Sequence, residues 1–182
     1  MKIATFAILA FVFLSDQAVG ENWPRFRGPN GSGVSPTKLP VQWTEKHRRW
    51  ALTLPGRGHS SPIIQGEKLF LTCGDDKTGK RMLFCFHAIT GKELWKHTFA
   101  GEKSRKHRDN SFASSTPTSD ANHVYVYWGG AKKCTVQAVT HEGKKVWEVD
   151  LPGFRSGHGF GPSLIVHDDV LIVPHDQGGR GS

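Results

Sequence analysis

The sequence predicts an all-β fold, a β-propeller of four-stranded antiparallel blades, with about two blades complete and a third begun. Three observations carry that expectation. A tryptophan motif recurs three times, four short β-rich runs separate successive copies, and no sustained helical period follows the first twenty residues.

The motif is Trp, three residues, a large apolar residue, a small residue or Pro, then Gly. Its copies are Trp50 to Gly56, Trp95 to Gly101 and Trp147 to Gly153, with the tryptophans 45 and 52 residues apart. A second element precedes each later copy. Ser61-Pro62-Ile63-Ile64 with Leu69-Phe70-Leu71 matches Thr116-Pro117-Thr118 with Val124-Tyr125-Val126, and Ser163 to Val166 with Val170 to Val173 repeats it again. A third element is a strand and turn before the tryptophan: Gly91 stands four residues before Trp95, and Gly143 four before Trp147. Four strands in a unit of about 40 to 50 residues make a propeller blade.

Residues 1–20 read as an export signal. Lys2 is followed by an apolar run from Ile3 to Leu14, too short to span a bilayer, and Ala18-Val19-Gly20 offers small residues for cleavage before Glu21. This predicts a periplasmic or secreted protein with no transmembrane helix after cleavage. Residues 21–48 form a lead-in, and 49–182 form a partial propeller. Within it, 49–54 is the outer strand of a closing blade, 60–99 and 114–151 are whole blades, and 162–182 is part of another. Closed rings need about four to eight blades, so the sequence reads as a fragment with an exposed sheet edge at each end, prone to self-association if expressed alone. Trp50, Trp95 and Trp147, with Gly91 and Gly143, are expected to be structural, each indole burying apolar area between neighbouring blades.

Ala88-Ile89-Thr90-Gly91-Lys92-Glu93-Leu94-Trp95 resembles the tryptophan-docking signature of quinoprotein, or PQQ-like, propeller repeats, and the likeness runs from about Trp50 to Pro174. The opening Asn22-Trp23-Pro24-Arg25-Phe26-Arg27-Gly28-Pro29-Asn30-Gly31 is similar to the lead-in of exported bacterial members. Two departures stand out: His87 and Thr140 occupy places where family blades often carry Asp, and Gly161-Pro162-Ser163 replaces a Ser-Pro pair.

The formal charge is +8, and removal of one Lys and one Asp with the signal leaves it unchanged. Much of the excess lies in two loops, Lys46 to Arg49 and Lys103 to Arg108, without the aromatic-rich module that nucleic acid would require. Cys73, Cys85 and Cys134 are too few for a disulfide scaffold. Either Cys73 and Cys85 bridge one hairpin, or all three are small buried hydrophobes; the second is the expectation.

Function is expected in the loops that enter the inner strand of each blade, because a rigid scaffold positions them. His59, His107 and His158 precede successive inner strands, and Asp109 and Asn110 lie beside His107. Such imidazoles suit a metal-binding funnel with Asp109 or Asn110 adding oxygen ligands, or they satisfy backbone groups where blades converge, which is the expectation. His123, His141, His167 and His175 read as surface or turn residues. The resemblance implies three possible roles. One is a non-catalytic binding or scaffolding module with a protein or polysaccharide partner in the envelope. Another is a PQQ-dependent alcohol or sugar dehydrogenase, which would use an adjacent cysteine pair and a calcium site of Glu, Asn and Asp. The third is a subunit of outer-membrane protein assembly, which would carry a lipidated cysteine. No Cys-Cys pair and no acidic loop cluster occur, and Gly20-Glu21 stands where that lipidated cysteine would be. The reading is therefore a binding module without a catalytic residue, PQQ with calcium being possible only in a longer protein.

Overall fold

A computed structural model describes residues 21–176, so the export signal read at 1–20 and the tail at 177–182 lie outside the described residues. The first blade is a sheet of β1 (Ile63–Gln65), β2 (Lys68–Gly74), β3 (Arg81–His87) and β4 (Glu93–Phe99) in sequential antiparallel order. The second repeats it with β5 (Thr118–Ser119), β6 (His123–Trp128), β7 (Lys133–Thr140) and β8 (Lys145–Pro152). A third begins with the hairpin β9 (Ile165–His167) and β10 (Val170–Ile172). A 3₁₀ turn at Glu45–His47 is the helical element among the described residues.

The apolar pattern explains the layering. In β3, Met82 to Phe86 are all buried, so both faces of the strand are covered, whereas β4 alternates exposed and half-buried residues at the solvent rim. Ile63, Phe70, Leu83 and Cys85 of the first blade share one core with Val124, Val126, Trp128 and Val139 of the second. Met82, Phe84 and Phe86 face the other way, toward Leu54. Tyr127, Cys134 and Val136 meet Leu164 and Leu171 of the third hairpin. Full burial of a side chain such as Phe70 contributes about 2–3 kcal/mol. The cysteines are buried and unbridged. Cys73 stands opposite Met82 and Cys85 opposite Phe70, so the Cys73–Cys85 bridge kept open above does not form.

Tryptophan docking crosses from one unit to the next. The Trp50 indole donates to Ala88 O at 3.1 Å, and Trp95 donates to His141 O at 2.9 Å. Gly91 and Gly143 have φ of +71° and +86°, and a Cβ on them would lie 2.6 Å from the Trp50 ring and 2.9 Å from the Trp95 ring. Only glycine meets both demands. His87 and Thr140 take over the turn contact expected of Asp: His87 Nδ1 accepts from Ile89 N at 3.3 Å, and Thr140 Oγ1 from Lys144 N at 3.2 Å. Both blades carry a bulge before the tryptophan strand, at Cys85/Phe86 and at Ala138/Val139.

At the inner edge the blades are joined by hydroxyls. Ser61 N donates to Thr116 Oγ1 at 2.9 Å, and Thr116 N donates to Ser163 Oγ at 3.0 Å. The displaced proline of the third blade therefore leaves its hydroxyl in place. Arg81, buried between blades, donates from one guanidinium nitrogen to Gly79 O at 2.9 Å and from the other to Gly129 O at 2.5 Å. It borders an inter-blade cavity of about 310 Å³ with Trp128 and Glu102. Burial pulls its pKa down, while Glu102 opposes that shift.

Candidate functional site

Three loops converge at the end of the blades where the inner strands begin. The first is fastened by a bridge between Arg57 and Gly74, with N to O distances of 2.8 and 2.7 Å, and by His59 N and Ser60 N donating to Ala113 O at 3.0 and 3.1 Å. Ser60 and Thr72 continue the link, since Thr72 Oγ1 donates to Ser60 Oγ at 2.7 Å. The first loop is thereby locked to the second by its backbone, leaving the His59 side chain exposed.

Asn110 is the clasp between the second and third loops. Its Nδ2 donates to His158 O at 2.7 Å, and its Oδ1 accepts from Ser111 N at 2.7 Å and from the Ser114 hydroxyl. Both acceptor positions of the amide oxygen are used, which leaves no oxygen there for a metal. His107 N donates to His158 O at 3.1 Å, and the two imidazole centroids are 6.0 Å apart. Asp109 lies 3.4 Å from His107 Nδ1 and 3.7 Å from Arg108 Nε, out in solvent with 74% of its side chain exposed. At that exposure these ion pairs contribute little to stability. Gly159 lets the third loop close down, because a Cβ there would lie 2.9 Å from Asn110 Nδ2.

The structure thus gathers His107, Asp109, Asn110 and His158 and sets His59 in the adjoining loop. Among the described residues, no three His, Cys, Asp or Glu side chains are grouped to hold a metal. Asp76 escaped the sequence reading. It stands between Lys106 Nζ at 3.4 Å and Arg57 at 3.6 Å, tying the β2–β3 turn to the loops, and its only sequence signal was a pair of acids in a turn. Two histidines read above as surface or turn residues make inter-blade contacts: His141 stands in the turn between β7 and β8, as expected, and His175 is half-buried. His175 Nδ1 is 2.6 Å from the Tyr127 hydroxyl, and the His141 ring lies 5.6 Å from Phe70. Both sit where one blade presses on another, a placement that spacing does not encode.

The repeat, the docked tryptophans and the blade order meet one comparison that decides the family. A PQQ-type family model described as outer membrane protein assembly factor BamB matches residues 34–181. The chain belongs to this PQQ-like propeller-repeat family. Among solved structures, a chain titled "Europium-containing methanol dehydrogenase" is similar, with 20% identity and a TM-score of 0.44 over 58% of this chain. The match spans 19% of that protein's length. No curated protein matches. Among the described residues no helix is long and apolar enough to cross a membrane.

Proposed function

We propose that this PQQ-like repeat chain is an exported, non-catalytic binding or scaffolding module that engages a protein or polysaccharide of the cell envelope at its loop face. The supporting observation is the locked loop set. Backbone bonds and the Asn110 clasp hold three loops rigid, while Arg57, His107, Arg108 and His158 remain exposed on them. Rigid loops with exposed polar side chains suit recognition, since little ordering entropy is lost on binding. In the same reading, 49–54 is the outer strand of a closing blade, anchored by Trp50, and Trp147 packs between the second and third blades, its ring 5.8 Å from that of Tyr125.

PQQ with calcium does not fit the described residues. The cysteines are separated on buried strands, Asn110 is saturated by protein partners, and no acidic set accompanies it. The family match itself supports a second reading, a role in outer-membrane protein assembly. Loss of the gene would then lower outer-membrane β-barrel protein levels, and unchanged levels would sink it.

The test of the first reading is calorimetric titration of the full-length protein with alginate, an acidic polysaccharide. The variant carrying Arg57→Ala, His107→Ala and His158→Ala together keeps the backbone clasp. We expect about a tenfold weaker association for it, about 1.4 kcal/mol, and a loss of wild-type affinity as salt rises. Equal affinity in both proteins would remove the loop face from the binding site.

A further inference from the structure

The lead-in does something the loop face does not require. β1 and β5 are edge strands, each paired on one side only within its blade, and in a propeller that free side lines the axis. A free edge is a template for an extended chain. Here the template is filled. Trp23 and Ile64 exchange both backbone hydrogen bonds, at 2.8 and 2.9 Å, and Gly66 N donates to Asn22 Oδ1 at 2.7 Å. One residue on, the Pro24 carbonyl accepts from Ser119 N at 2.8 Å and from Thr118 Oγ1 at 3.2 Å in the second blade. Pro24 brings no N–H, so the chain crosses from blade to blade without orphaning a donor.

The next residues brace this strap. Gly28 N donates to Arg25 O at 3.0 Å and Gly33 N to Arg27 O at 2.8 Å, folding the chain back on itself. Gly28 has φ of +79°, and a Cβ there would lie 2.8 Å from the Trp23 ring. The position of the strap matters as much as its bonds. Ile64, Gly66 and Ser119 lie where the inner strands leave for β2 and β6, whereas the loops carrying His59, His107 and His158 enter at the other end.

We propose that the axial edge of β1 and β5 is a binding site for an extended Asn–aromatic–Pro peptide, and that the chain's own Asn22-Trp23-Pro24 fills it. The occupant covers the axial edge of these two blades at the end away from the loops. The peptide site is independent of the loop-face reading, because it lies at the other end of the inner strands.

Three amide protons report on it directly, those of Ile64, Gly66 and Ser119. In the full-length protein, deletion of residues 21–33 is expected to speed their hydrogen exchange at least about tenfold while the amides of β3 and β7 keep their protection. A synthetic peptide of residues 21–33 added in trans restores protection saturably. If the deletion unfolds the blades, Gly28→Val carries the test, because every strap residue remains and only the brace is broken. Unchanged exchange at the three amides in a folded variant overturns the proposal. Protection that depends on protein concentration would place a second copy's lead-in there and overturn the intramolecular assignment. The triple loop variant leaves these amides untouched, so the two readings fail separately.

Discussion

Gly143 shows how one atom decides whether two blades meet. Its positive φ and its contact with the Trp95 ring leave no room for a side chain, so Gly143→Val combines backbone strain with overpacking. We expect a loss of about 2–4 kcal/mol by denaturant unfolding, against almost none for the exposed neighbour Lys144→Ala. The Gly-to-Trp spacing made this glycine legible, but it did not show that its partner is the preceding tryptophan, because the contact spans two units. Asp120 was silent in the sequence. Burial pushes its carboxyl up, but donors from the Tyr125 hydroxyl at 2.6 Å and from Asn122 N and His123 N at 2.7 Å, with His123 charge, bring it below the usual range. A folded pKa below the unfolded one contributes stability that is full above the unfolded value, about 4, and is lost as pH falls through the folded one. Asp120→Asn is therefore expected to cost about 1–2 kcal/mol at pH 7, with the gap to wild type closing in acid. A constant gap from pH 7 to pH 2 would refute the linkage.

At the scale of the strand, the inner hydroxyls do the joining. Thr116 is 2% exposed, and its Oγ1 is the acceptor for Ser61 N. Thr116→Val keeps the shape and strands that amide, a change expected to cost about 1–3 kcal/mol, with Thr116→Ser recovering most of it. Equal stability of the Val and Ser variants would show the hydrogen bond to be dispensable. The strand order and the turns were legible because every blade repeats them, and repetition separates signal from composition. Ser61, Thr116 and Ser163 were also visible as aligned positions. Their mutual bonding was not, since it needs the stagger of adjacent blades.

For the whole molecule, the two ends of the inner strands have different fates. One end presents loops clasped by Asn110, and the other is crossed by Asn22-Trp23-Pro24. The loop histidines were found because each precedes an inner strand, yet only His107 and His158 come within ring contact. The lead-in was noticed as a motif, but nothing in its composition announced that it would pair with a blade edge.

Local pattern sufficed where the physics is local. Alternation, turn glycines and the recurring tryptophan determined an all-β chain, its blades and its family, because each motif is contained within a few positions and then repeats along the chain. Tertiary structure alone decided which tryptophan docks on which turn, that Asn110 is a clasp with no free oxygen, that Asp76 joins two loops and that Trp23 seals an edge. These contacts join residues 19 to 48 positions apart. Their formation depends on strand stagger and blade stacking, which no short stretch of sequence specifies.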